Sequence, residues 1–247
     1  MMNSEELPPV YSMYWNNIAD VIRQGQKEVF DHLGIPLVQE NADQQSHGTW
    51  MEDVISRHKS DDVIVFCDID AFPLNHDAFV DAVETARSGA VFGLAQFSNH
   101  KRTQEIYAGP MFMAFRKDCW EKLGRPSLKS DKQFDAAEAL SASARNEGVA
   151  IALTYPTSTL IPKWALANKG VFGIGTFYGG NDFFHLFESR KPQYELIFAA
   201  VVSDVVNDRG LNFDLYLSTA QKDSEIKTVQ RKRNWIPKPL RRFFTHR

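Results

Sequence analysis

The chain has 247 residues, 43% of them hydrophobic and 24% charged, with a net charge of −3. This is the composition of an ordinary folded protein, long enough for one large domain, and it excludes a disordered or fibrous chain. The two cysteines, Cys67 and Cys119, show no CxxC spacing, so they read as buried reduced thiols rather than a disulfide framework or zinc site. No run approaches the roughly 18–20 apolar residues of a membrane span. The opening MMNSEELPPVYSMYW has early acids and does not resemble a signal peptide, so a cytoplasmic location is expected.

In chain order, LPPVYSMYW carries a short strand, and residues 15–33 read as a helix with Ile18, Val21, Ile22, Val29, Phe30 and Leu33 on its apolar face, stopped by Gly34. IPLVQ reads as a strand, and SHGTWMEDVISRH as a helix with Ser46 as its cap. VIVFC is a buried-looking strand. Pro73 and Asn75 then introduce a helix over about 76–88, followed by the strand AVFGLAQF. YAGPMFMAF is strand-like, DKQFDAAEALSASARNEG reads as a helix up to its glycine, and VAIALTYP is strand-like again. Five glycines crowd GVFGIGTFYGG, but the third fingerprint glycine and a helix start are absent, so the dinucleotide signal is weak. A last long helix is expected over about 192–207. Alternating β and α elements, with no linker or internal repeat, predict a single α/β domain with a mostly parallel, doubly wound sheet and helices on its flanks. Sites in such sheets lie beyond the C-terminal strand edges.

Asp68 and Asp70 fall at such an edge, in VIVFCDIDAFPL. Two like charges at the end of an apolar strand repel one another unless something positive sits between them. A divalent cation answers that demand, since Mg2+ and Mn2+ favour oxygen ligands and leave room for substrate phosphates. A solvated turn is the plainer alternative.

With this DxD after an apolar strand, the strand-like YAGPMFMAF downstream and the late YGGNDFFHLFESR, the chain resembles a metal-dependent glycosyltransferase of the GT-A fold, over residues 7 to about 207. The resemblance implies a Rossmann-like GT-A domain, covering residues 1–225, that moves a sugar from a nucleotide-diphosphate donor (UDP- or GDP-linked) to a glycan or lipid-linked acceptor. It implies Mn2+ or Mg2+ held by Asp70 as the principal ligand and by His185 as a neutral imidazole ligand, with Asp68 contacting the donor ribose or the metal through water. If the reaction inverts, a carboxylate near Asp131, Asp135 and Glu138 serves as base, and Asp135 is the candidate. Asp135 and Glu138 are expected to share a helix face at i and i+3.

Lys101 and Arg102, in a basic loop, are candidates for the acceptor or the leaving diphosphate. Arg190 could reach a phosphate bidentately, and Trp50 could pack on an acceptor or base, or simply anchor its helix. Phe183, Phe184 and Phe187 read as packing around His185, for which the plainer alternative to metal ligation is a helix histidine satisfied by backbone or water. Two other functions stay open: a phosphatase of the haloacid dehalogenase type, with Asp68 as nucleophile, and a catalytically silent sugar-nucleotide or glycan binding module. Residues 226–247 hold eight Lys/Arg, no acid and several aromatics. This tail suits an anionic inner membrane surface, at about 1 kcal/mol per cation near it, better than nucleic acid, for which no recognition motif is present.

Overall fold

The computed structural model describes residues 7–101 and 103–219; Arg102 and the basic tail lie outside the described residues. The chain runs β1 (Val10–Tyr14), α1 (Asp20–His32), β2 (Leu37–Asn41), α2 (His47–Ser56), β3 (Val63–Cys67), β4 (Ala71–Pro73), α3 (His76–Arg87), β5 (Val91–Phe97) and β6 (Ile106–Arg116). It continues with α4 (Lys117–Lys122), α5 (Glu138–Asn146), β7 (Ile151–Thr154), β8 (Pro156–Ala165), β9 (Val171–Tyr178), β10 (Phe183–His185), a 3-10 turn (Pro192–Tyr194) and α6 (Glu195–Val206). Residues 213–219 are also helical. Among the described residues no helix is long and apolar enough to cross a membrane.

Six strands form the central sheet in the order β2-β1-β3-β6-β5-β7. β1 is parallel to both β2 and β3, β5 is parallel to β7, and only β6 runs against its neighbours. This is the mostly parallel, helix-flanked α/β sheet that the alternation of elements predicts. Every residue of β3 is buried, as a strand covered on both faces requires. Val63, Val65 and Cys67 pack with α1, α3 and α6, while Ile64 and Phe66 pack with α2 and α5. The Ser46 cap forms, its hydroxyl accepting from the Thr49 amide. Asn75 caps α3 in the same way through the Ala78 amide.

A second, antiparallel sheet, β4-β10-β9-β8, is absent from the sequence reading. The Gly-rich segment is its strand β9. A methyl group on Gly173 would lie 2.2 Å from the Ile161 carbonyl oxygen of β8, so this glycine permits close strand approach rather than phosphate binding. His185 accordingly sits on a strand, not a helix.

Two helices are shorter than expected. α1 starts at Asp20 because residues 15–18 form a turn tied to the loop after β2, through Trp15 Nε1 to the Gln45 carbonyl (3.1 Å) and the Asn16 amide to Asp43 Oδ1 (3.0 Å). α5 starts only at Glu138. Asp131 Oδ1 captures the Gln133 and Phe134 amides at 2.7 Å each, and Ala137 is left-handed (φ 62°). Side-chain capture of local amides thus displaces the helix, and Asp135 stands before α5 rather than on a shared face with Glu138.

Candidate functional site

β1 has β2 on one side and β3 on the other, so the crossovers leave it in opposite directions and open a crevice beyond the C-terminal ends of β1 and β3. A cavity of about 570 Å³ occupies that place. Tyr14 and Trp15 at the end of β1, Asp68 and Asp70 at the end of β3, His47 of α2, and Ser189, Arg190 and Lys191 line it.

The chain passes from the central sheet into the second sheet through the acidic pair. β4 follows Asp70 directly and pairs with β10, which sets His185 opposite Ala71. The Leu186 amide donates to the Asp70 carbonyl at 2.9 Å. This pairing carries the imidazole to the carboxylates: His185 Nε2 is 3.2 Å from Asp70 Oδ1 and 4.0 Å from Asp68 Oδ2. Ser189 Oγ donates to Asp70 Oδ2 at 2.5 Å. On the other side, His47 Nε2 lies 3.4 Å from Asp68 Oδ1. Phe187 packs its ring 3.9 Å from the His185 ring. His185 Nδ1 is buried and has no hydrogen-bond partner among the described residues.

Burial pushes the Asp68 carboxyl above the ordinary carboxylate range; His47, His185 and Arg190 pull against this, while Asp70 adds to it. Burial also opposes ionisation of Asp70, but the His185 imidazole and the Ser189 hydroxyl outweigh it, so that carboxyl lies below its ordinary value. Asp68, Asp70 and His185 each offer one donor atom, and these atoms lie within 4.8 Å of one another. Two carboxylate oxygens and an imidazole nitrogen form a donor set that fits a divalent cation.

The turn bearing the pair is held from behind by Gln26, a fully buried residue of α1. Its Nε2 donates to the carbonyls of Asp68 (2.8 Å) and Ala71 (2.9 Å), and its Oε1 accepts from Gln39 Nε2 (2.9 Å). Gln26→Leu removes one hydrogen bond from each carbonyl, leaving Asp68 with the Ala71 amide (3.0 Å) and Ala71 with the Cys67 thiol (3.1 Å), at about 0.5–1.5 kcal/mol for each bond lost. The expected result is a lower melting temperature together with weaker cation affinity; calorimetry on the variant checks both.

Of the other residues singled out in the sequence, Arg190 lines the cavity with its guanidinium 4.6 Å over the Trp15 ring. Trp50 is 1% exposed, donates to Glu40 Oε2 at 2.8 Å and packs on Phe66, which leaves it in the core. Lys101 reaches away from the cavity to Ser130 Oγ (3.3 Å) and the Asp131 carbonyl (2.5 Å). Asp135 lines a second cavity, with Oδ2 3.5 Å from the Tyr107 hydroxyl and 3.9 Å from His100 Nε2. Glu138 is 1% exposed and already accepts from Ser98, Thr103 and the Asp135 amide. Sequence reasoning missed Tyr14, Trp15, Ser189 and Gln26. Only Gln26 left a signal, as a polar residue on the apolar stripe between Ile22 and Val29 and Phe30.

No family model matches the chain, and no curated protein does. Among solved structures, the chain is similar to a glycosyltransferase involved in the glycosylation of the major capsid of PBCV-1, at 9% identity and a TM-score of 0.36, over 59% of this chain and 82% of that one.

Proposed function

We propose that the chain transfers a sugar from a nucleotide-diphosphate donor, UDP- or GDP-linked, to a hydroxyl of a glycan or lipid-linked acceptor, using Mn2+ or Mg2+. The observation that carries this reading is the convergence of Asp68, Asp70 and His185 donor atoms within 4.8 Å. Asp68 and Asp70 line a cavity whose remaining walls are aromatic at Tyr14 and Trp15 and carry Arg190, Lys191 and Glu188. A nucleoside diphosphate has the matching parts, a flat base and an anionic diphosphate. When bound, a divalent cation supplies Lewis-acid stabilisation of the charge that develops on the departing diphosphate. Asp70, fixed by Ser189, and Asp68, flanked by His47, present the carboxylate oxygens. Arg190 is placed to pair with phosphate oxygens. In an inverting reaction Asp135 takes the proton of the acceptor hydroxyl.

The test is incubation with a panel of UDP- and GDP-sugars, with and without Mn2+ or Mg2+. Cation-dependent release of nucleoside diphosphate is the expected result. Release of inorganic phosphate instead points to the phosphatase reading, and release of neither overturns transfer.

A further inference from the structure

We propose that the second cavity is a binding site for a pyranose ring, which on the transfer reading above is the acceptor sugar. It measures about 360 Å³, within the range of small-ligand sites, and its two walls differ in kind. One is aromatic: Trp164, Phe172 and Phe187 form a triangle of rings with centroids 5.5, 5.4 and 5.2 Å apart, in which Phe172 is buried and Lys163 Nζ lies 4.8 Å over the Trp164 ring, so half-buried Trp164 and Phe187 offer the remaining ring surface. The facing wall is polar, with Gln96 of β5, Asn99 and His100 after that strand, and Asp135 before α5. Asn99 Nδ2 donates to the Ala165 carbonyl at 3.0 Å, which ties the polar loop to the end of the strand that carries Trp164.

A pyranose has matching surfaces. Its C–H groups are weakly electropositive and suit the negative face of an aromatic ring. Its rim of hydroxyls both donates and accepts, as amide, imidazole and carboxylate groups demand. The lining is also selective by charge. None of the described residues lining this cavity is Lys or Arg, and it presents the Asp135 carboxylate, so it disfavours a phosphate-bearing ligand; the first cavity sets Arg190 and Lys191 beside Asp68, Asp70 and Glu188. Phe187 joins the two sites. Its ring belongs to the aromatic wall and also packs 3.9 Å from the His185 ring. Phe187 is thus the ring shared between the aromatic wall and the His185 imidazole.

The test is saturation-transfer NMR on the full chain in chelator, without donor, using methyl pyranosides of the gluco, galacto, manno and N-acetylglucosamine configurations in both anomers. Saturable transfer to at least one of them is expected. Trp164→Ala should weaken it by about tenfold or more, which corresponds to about 1.4 kcal/mol, and Trp164→Phe should retain part of it. No binding by any pyranoside, or equal binding by wild type and Trp164→Ala, overturns the site. Should Trp164→Ala lose its thermal transition, Gln96→Ala and His100→Ala decide instead: weaker binding by either supports the site, and wild-type binding by both overturns it. Because no cation or donor is present, the two readings fail separately. Pyranoside binding without diphosphate release leaves this site standing and removes transfer, and the converse removes this site alone.

Discussion

Alanine in place of Asp70 is expected to lower cation-dependent release of nucleoside diphosphate by at least about 10²–10³-fold, the scale set by removing one electrostatic stabiliser of a developing anion. The side chain has no redundant partner in its role. Its Oδ1 is the carboxylate oxygen nearest His185 Nε2, at 3.2 Å, and its Oδ2 is the acceptor for Ser189. Truncation removes a ligand and releases both neighbours. Asp70→Asn keeps the shape and loses only the charge, so an equal loss in this variant attributes the effect to electrostatics rather than packing. Isothermal titration with Mn2+ should show the same loss of affinity, and chelator should reproduce it in the wild type. Full turnover in chelator, or undiminished Mn2+ binding by Asp70→Ala, rejects the assignment.

Asp68 behaves differently in the same experiment. Its folded carboxyl lies above the ordinary value, chiefly through burial. The native state without cation is therefore favoured while Asp68 is protonated, and loses that contribution as pH rises through the raised value. Asp68→Asn should raise the melting temperature of the cation-free protein at neutral pH while weakening cation binding and turnover. Asp70, held below its ordinary value, contributes stability above the unfolded pKa that is lost as pH falls through the folded one. Wild-type cation affinity should fall with decreasing pH, since the ligands bind a cation in their deprotonated forms.

Asp135→Asn should depress turnover of an inverting reaction by about 10²–10⁴-fold, the usual contribution of a general base, with donor affinity almost unchanged because the base acts on the acceptor. The replacement is a fair one. Asp135 Oδ1 accepts from the Ala136 amide at 2.8 Å, a contact the asparagine oxygen preserves, while the other oxygen faces the cavity that also holds His100. Its neighbours are poor substitutes. Glu138 is buried and has its oxygens occupied by Ser98, Thr103 and the Asp135 amide. Asp131 spends Oδ1 on two backbone amides of its own turn. A wild-type rate for Asp135→Asn, measured with the donor KM alongside, removes the base from this loop. A product of retained configuration removes the need for one.

The apolar run of β3 and the two acids after it were legible in the sequence, because burial of a strand on both faces writes a continuous hydrophobic segment and its end writes the change to charge. The alternation of strands and helices likewise determined the α/β class and placed the acids at a C-terminal strand edge. Helix caps at Ser46 and Asn75 are local and were readable for the same reason. Contacts distant along the chain were not. β4 and β10 are three residues each, too short to show a period, yet their pairing decides that His185 faces Asp70. Ser189 meets a carboxylate 119 positions away. The opposite fates of Trp50 and Trp15 also depended on packing, since α2 turns one indole into the core and the turn after β1 leaves the other over the cavity. The sequence by itself determined the sheet, its buried strand and the acidic pair, all local consequences of hydrophobic patterning. Only the tertiary structure decided which histidine, which serine and which aromatic rings surround that pair, because strand pairing and side-chain burial between remote segments leave no periodic trace along the chain.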